Sequence, residues 1–311
     1  MPSALITGAS GFLGRQVLKT FSDSGWEATG TGFSRASGPI RKVDIQDAEA
    51  VTQLFGQVKP QVVVHCAADR QPDSCTKNPE AARKLNVTAT ELLAARAAAQ
   101  GAFLIYISTD YVFPGVPGQA PYKTSDKPDP PNVYGQTKLD GETAVLKHES
   151  GTTVVLRVPV LYGPTEPKEN NAESAVNILM DSLWKSQKEK VKMDDWAIRY
   201  PTNIEDVARM CLDIAKLYTS STHPERLPRV LQFSSEDRMT KYEIVQKFAE
   251  IMGLPVDGVV ADKDGGKPGP DGTMRPYDCH LDTNELQALG IDIGTVDFVA
   301  WWRRWVGAFR H

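Results

Sequence analysis

Over the first half of the chain, short apolar runs alternate with segments of helical periodicity. Ala4–Thr7 is a short apolar strand, and behind it Phe12–Ser22 carries apolar residues at helical spacing. Glu27–Gly32 reads as a second strand, and Asp47 is placed to cap a helix running to about Val58. Gln61–His65 contains Val62-Val63-Val64, a β-branched run typical of a strand covered on both faces. An Ala-rich helix is predicted from about Pro79 to Gln100, then a strand over Ala102–Ser108, a helix over Tyr134–His148 and a buried strand over Thr152–Val158. Strand-then-helix alternation at this spacing predicts an α/β fold, a doubly wound parallel sheet with helices on both faces.

From Pro159 onward the regularity fades. Gly163–Asn171 and Lys263–Arg275 are rich in Pro, Gly and Asn and read as loops. Helices are predicted at about Ser174–Ser186, Ile204–Leu217 and Thr240–Met252, with strands near Val191 and at Val230–Phe233. These pieces cannot easily build a second complete parallel sheet. The expected division is a nucleotide-binding domain over residues 1–160 and a smaller α/β lobe over 161–311, with chain crossings between them. The end of the chain, Thr295–His311, is dense in aromatics at helical spacing: Phe298, Trp301, Trp302, Trp305 and Phe309.

Composition narrows the class. Of 311 residues, 41% are hydrophobic and 24% charged, as in an ordinary soluble globular protein. The net charge of -4 argues against a protein whose main task is holding nucleic acid. No apolar run approaches the roughly 18 residues that suggest a membrane span. The N-terminus runs straight into a strand and a glycine turn without a charged-then-apolar leader, so a cytoplasmic protein is expected. Cys66, Cys75, Cys211 and Cys279 form no CxxC pair, the five histidines form no HExxH, and no metal site is expected.

The strongest local signal is Thr7-Gly8-Ala9-Ser10-Gly11-Phe12-Leu13-Gly14, which follows a strand and opens a helix. That context makes it a Rossmann dinucleotide loop: Gly8 permits the tight turn, Gly11 lets backbone approach a pyrophosphate, and Gly14 allows close helix–strand packing. The amides at the helix start, from Ser10 to Gly14, face the phosphates. An NAD site usually has an acid about 20 residues further on, at the end of the second strand. This chain has Thr31-Gly32-Phe33-Ser34-Arg35 there. Arg35 offers a forked donor set and Ser34 a hydroxyl to a 2'-phosphate, so NADP(H) is expected over NAD(H). Asp44 and Ile45 after the next apolar residue, and Ala67 and Ala68 after the Val-rich strand, are candidates for the adenosine half.

Two further stretches carry reductive chemistry. Ser108-Thr109-Asp110-Tyr111-Val112-Phe113 ends a predicted strand, and Tyr134-Gly135-Gln136-Thr137-Lys138 opens a helix. Tyr134 and Lys138 are four apart and share a helix face. Hydride transfer to a ketone needs a proton for the developing alkoxide, which a phenol delivers if a nearby ammonium lowers its pKa. Thr109 would hold the carbonyl oxygen, Lys138 would also bind the nicotinamide ribose, and Asn86 would orient Lys138.

With these motifs on the page, the chain resembles the extended short-chain dehydrogenase/reductases: TGxxGxxG at Thr7–Gly14, STDYVF at Ser108–Phe113 and YGxTKxxGE at Tyr134–Glu142. The resemblance spans nearly the whole chain, and by position Thr109, Tyr134 and Lys138 match the family's catalytic trio, with Asn86 its supporting asparagine. Within the family the chain is similar to two branches. The dTDP-4-dehydrorhamnose reductases reduce a 4-keto nucleotide sugar with NADPH. The regulatory beta subunits of methionine adenosyltransferase bind NADP and a catalytic partner. Both share the trio. The C-terminal half favours the regulatory branch through Glu173–Val176, Met193–Thr202, Met239–Glu243 and Arg275-Pro276. The reductases carry a shorter Asp-Gln-x-Gly-x-Pro-Thr turn in place of Met193–Thr202, and often Asn in place of Asp278. The favoured branch implies NADP(H) as cofactor, a methionine adenosyltransferase catalytic subunit as partner and a role in S-adenosylmethionine synthesis. The other implies a nucleotide-sugar substrate. The regulatory branch also ends in an aromatic-basic tail that engages the partner, and Phe309-Arg310-His311 matches it with one residue inserted.

Overall fold

The computed structural model describes residues 1–149, 151–269 and 272–308. The chain opens with β1 (Ser3–Thr7), α1 (Phe12–Asp23), β2 (Glu27–Gly32), β3 (Arg41–Lys42), α2 (Ala48–Val58) and β4 (Val62–His65). Next come α3 (Pro72–Lys77), α4 (Pro79–Arg83), α5 (Ala89–Ala99), β5 (Phe103–Thr109), α6 (Val133–Leu146), β6 (Thr153–Val158) and β7 (Leu161–Tyr162). The remainder holds α7 (Leu179–Ser186), β8 (Val191–Asp194), β9 (Ile198–Arg199), β10 (Thr202–Asn203), α8 (Ile204–Ser220) and β11 (Val230–Gln232). It closes with β12 (Met239–Thr240), α9 (Lys241–Met252), β13 (Val259–Asp262), α10 (Asn284–Ala288) and α11 (Phe298–Val306).

Among the described residues, seven strands pair in the order β3-β2-β1-β4-β5-β6-β11, all parallel. This is the doubly wound sheet that the alternation predicts. Ala4, Ile6, Val62, Val64, Ile105 and Leu156 point to one face, where α1 and α8 cover them. Leu5, Val63, Leu104, Tyr106 and Val155 point to the other, under α2 and α5. Because both faces are covered, every residue of β4, β5 and β6 is buried, which is why these strands read as continuous apolar runs. Residues 204–220 and 230–232 belong to this body: α8 packs along α1, and β11 pairs with β6 through Val230 and Val155. Asp47 caps α2 by accepting from the Glu49 and Ala50 amides.

Two helices depart from the periodicity. The predicted Pro79–Gln100 helix is one rod with a π turn over Lys84–Thr88 in its middle. Asn86 sits in that turn, buried, where its side chain holds the Asp69 backbone and the Thr137 hydroxyl. The helix predicted to start at Ser174 starts at Leu179 instead. Ser174 donates to the Leu161 carbonyl while its hydroxyl oxygen accepts from the Val176 and Asn177 amides, a side-chain turn that competes with a helix start.

The smaller lobe packs α7, α9 and α11 around Tyr162. Phe298, Trp301 and Trp302 are buried there, and Trp305 is stacked on Trp301 at 5.4 Å. The terminal Phe309, Arg310 and His311 lie outside the described residues.

One buried ion pair ties helix to sheet. Glu142 on α6 accepts from Arg157 Nε (2.9 Å) and Nη2 (2.7 Å) and from the Ser108 hydroxyl (2.6 Å). Arg157 Nη1 donates to Gln232 on β11, whose amide donates on to the Tyr122 and Asp282 carbonyls. Breaking a buried pair strands a charge, whereas replacing both partners by apolar groups does not. Glu142→Gln is therefore expected to destabilise by about 3–5 kcal/mol, and Glu142→Leu combined with Arg157→Met by less. Urea denaturation of the three proteins checks the ranking.

Candidate functional site

The C-terminal ends of β1, β2, β4 and β5 open into a cleft of about 530 Å³. It lies where the strand order reverses, the place where parallel sheets bind ligands. Gly8 has φ of +68°, and a Cβ there would stand 2.7 Å from the Ala67 amide nitrogen. A Cβ on Gly14 would stand 2.2 Å from the Gly8 carbonyl oxygen, so only glycine lets α1 begin this close to β1. The N-cap of α1 is Gly11, with no capping side chain and no acidic residue in the first turn. The positive end of the helix dipole thus reaches the cleft with no carboxylate in its own first turn, a cradle that fits a pyrophosphate.

Gly8, Ser10, Gly11, Phe12, Leu13 and Gly14 all line this cleft, as do Ser34, Arg35, Asp44, Ile45, Ala67 and Ala68. Thr109, Tyr134 and Lys138 line the same cleft. Asn86 is brought beside it but does not line it, and reaches the neighbourhood of Lys138 through Thr137. Asp44 accepts from the Gln46 amide, which sets the turn after β3.

Arg35 is more than half exposed, and its Nη1 lies 3.1 Å from Glu173 Oε1. Glu173, buried, is also gripped by Arg15 at 2.6 and 3.2 Å, and its carbonyl accepts from Arg70 at 2.5 Å. Burial would raise the Glu173 pKa, but the hydrogen bond and charge of Arg15, with Arg35 behind, hold it below the usual range. Arg15 and Arg70 carry no motif, Glu173 is legible only as the first residue of Glu173–Val176, and the part of all three in shaping this end is not readable from sequence.

At the other end Tyr134 meets Tyr111 edge to face, rings 6.0 Å apart. Burial pushes the Tyr134 phenol up, opposed by the Thr109 hydroxyl and the charge of Arg70. The sequence argument expected the Lys138 ammonium to depress it. Instead Nζ of Lys138 donates to the Ile107 carbonyl (2.7 Å) and lies 4.0 Å over the Tyr106 ring. The phenol therefore stays protonated at neutral pH, the form that can donate. Burial lowers Lys138 itself to about 7, against the pull of Glu142. Asp110 is raised to about 6 by burial, against the charge of Arg199. The small lobe adds Arg199, Lys241, Ile244 and Arg275 to the wall. Only folding brings these cations to the cleft. The sequence signals were the segments Met193–Thr202, Met239–Glu243 and Arg275-Pro276, which contain Arg199, Lys241 and Arg275.

Comparison with known proteins agrees with this fold. The model of the RmlD substrate binding domain family matches residues 2–299. The methionine adenosyltransferase 2 subunit beta of Rattus norvegicus is 44% identical over 291 residues, covering 92% of this chain and 82% of the relative. The chain belongs to the RmlD family and, within it, to the methionine adenosyltransferase 2 beta subunits. The zebrafish beta subunit is 38% identical over 99% of this chain and 91% of its own length. A dTDP-4-dehydrorhamnose reductase from Clostridium acetobutylicum has a similar structure, with TM-score 0.80 and 25% identity over 98% of both chains. The fold is shared by the Bacillus anthracis dTDP-4-dehydrorhamnose reductase in complex with NADP, at TM-score 0.79 and 23% identity over 98% of both chains. In this beta-subunit homologue, no helix among the described residues is long and apolar enough to cross a membrane.

The lowered Lys138 pKa predicts a pH signature. Between about pH 7 and 10 the unfolded chain keeps a proton that the folded chain has released, so this group makes stability rise with pH across that window. Lys138→Met should remove up to about 1.4 kcal/mol per pH unit of that slope. Denaturation midpoints of both proteins at pH 7 and 9.5 measure the difference.

Proposed function

We propose that this chain is a regulatory subunit of methionine adenosyltransferase, which binds NADP(H) in the sheet cleft and docks on the catalytic subunit. The observation that carries the reading is 44% identity to a named beta subunit over 92% of the chain. The glycine cradle supports a dinucleotide, and Arg35 with Ser34, in place of an acid at the end of β2, supports the phosphorylated form. In this role Gly8 to Gly14 hold the pyrophosphate, Asp44, Ile45, Ala67 and Ala68 flank the adenosine, and Tyr134 and Lys138 hold the nicotinamide ribose. Arg35 must exchange Glu173 for the 2'-phosphate, or share itself between them.

One observation favours a second reading, an NADPH-dependent reductase of a 4-keto nucleotide sugar: Thr109, Tyr134 and Lys138 stand together in one cleft. Bound NADPH would supply the hydride to the carbonyl carbon. Tyr134 would give its proton to the resulting alkoxide oxygen, held by Thr109, with Asn86 as a positioning residue behind Thr137.

NADPH is expected to bind more tightly than NADH, and Arg35→Ala to narrow the gap by about ten- to a hundredfold, the worth of one charge-assisted bond. Calorimetric titration giving equal affinities for the two dinucleotides contradicts the assignment. Deleting Gly307–His311 is expected to leave NADPH affinity and thermal stability intact and to weaken capture of the catalytic subunit at least tenfold, about 1.4 kcal/mol. Partner affinity unchanged by the deletion contradicts docking through the tail.

A further inference from the structure

The cleft surface is unevenly charged. Arg35, Arg70, Lys138, Arg199, Lys241 and Arg275 line it, against the carboxylates of Asp44 and Asp110. Arg35 stands at the adenosine end, and Lys138 belongs to the trio. Arg199, Lys241 and Arg275, contributed by β9, α9 and the segment after β13, form the far wall.

Partner accounting at this wall leaves donors over. Arg275 is paired with Asp73. Arg199 is 6% exposed, and its Nη1 donates to the Ile198 carbonyl (2.7 Å) and to that of Pro276 (3.4 Å). Its Nη2, fully buried, has no hydrogen-bond partner. No hydrogen bond or ion pair engages the Lys241 ammonium among the described residues. Three carboxylates are near. Asp73 is taken by Arg275, Asp194 accepts from the Trp196 and Ala197 amides, and Asp110 accepts from the Thr109 hydroxyl. A guanidinium stays charged at any physiological pH, and a buried donor with no acceptor is costly. Burial also lowers Lys241 to about 8, with Arg199 adding to the push.

The wall stands close to the trio. The Arg199 guanidinium carbon lies 6.0 Å from the Tyr111 ring centre, and Tyr111 is the ring that meets Tyr134. The geometry points to a second binding site in the far half of the cleft, where Arg199 and Lys241 hold the oxyanion of a compact carboxylate- or phosphate-bearing molecule beside Tyr134. This site does not depend on whether the chain regulates a partner or reduces a substrate. An anion there supplies a counter-charge for Arg199 and Lys241, both of which line the cleft. Arg275, held by Asp73, borders the site.

The test is calorimetric titration of the full chain, at low ionic strength, with inorganic phosphate and separately with malonate, each with saturating NADPH and without it. Binding of at least one probe to the NADPH-saturated chain is expected, weakened tenfold or more by Lys241→Gln and by Arg199→Met. Phosphate alone would mark the ligand as a phosphate ester, malonate alone as a carboxylate, and either supports the site. If thermal melting shows that Arg199→Met does not fold, Lys241→Gln decides. The site is overturned if neither probe binds, or if binding survives the substitutions that fold. It is also overturned if saturating NADPH abolishes probe binding, since the anion then sits at the glycine loop. NADPH affinity, read in the same titrations, separates failure of this site from failure of the dinucleotide reading.

Discussion

Glu142 and Arg157 form the interaction on which the centre of the molecule depends. Both are almost fully buried, and charges so placed are tolerated only when every lone pair and proton is used. Here each guanidinium nitrogen and each carboxylate oxygen is engaged: Nε, Nη2 and the Ser108 hydroxyl donate to the carboxylate, and Nη1 donates to Gln232. The pair joins α6 to β5, β6 and β11, so the end of β5 that carries Thr109 and the first turns of α6 that carry Tyr134 and Lys138 cannot shift independently. Lys138 lies one turn before Glu142 on the same face of α6. The Gly-Glu close of the YGxTKxxGE motif is thus the structural half of a motif whose other half faces the cleft.

The cleft combines two kinds of constraint. At the glycine end the backbone does the recognising, and the requirement is absence: no Cβ at Gly8 or Gly14, no capping side chain and no carboxylate in the first turn of α1. At the trio end the requirement is burial, which keeps the Tyr134 phenol protonated and makes the Lys138 charge sensitive to its surroundings. Both ends suit a bound dinucleotide whether or not chemistry follows. This is why an intact trio is compatible with a regulatory subunit, and why kinship with the beta subunits, not the trio, carries the proposed function.

The parts legible in the sequence were those whose physics is local. Strands covered on both faces announce themselves as Val-rich runs, Asp47 caps the helix it precedes, and the glycine loop follows its strand at once. Five features were hidden because they arise from contacts distant in sequence. The π turn at Lys84–Thr88 carries Asn86 to the Asp69 backbone and Thr137. The delayed start of α7 answers to Ser174 reaching back to β7. The return of α8 and β11 to the main sheet is a matter of chain crossing, which periodicity does not position. The arginines and lysine of the far wall come from three segments more than 30 residues apart, and the grip of Arg15 and Arg35 on Glu173 spans an equally long separation. Charge clusters of this kind have no periodic signature.

The central claim, that this chain works by binding a catalytic partner, is tested most directly by mixing the purified full-length chain with the methionine adenosyltransferase catalytic subunit of the same organism in the presence of NADPH. Sedimentation velocity, with NADPH absorbance followed in parallel after addition of a 4-keto-6-deoxy nucleotide sugar, reads both proposed functions in one preparation. The account predicts a faster-sedimenting complex at micromolar concentrations and no consumption of NADPH. Two separate species, together with NADPH oxidised in step with the sugar, would contradict it and assign the chain to the reductases.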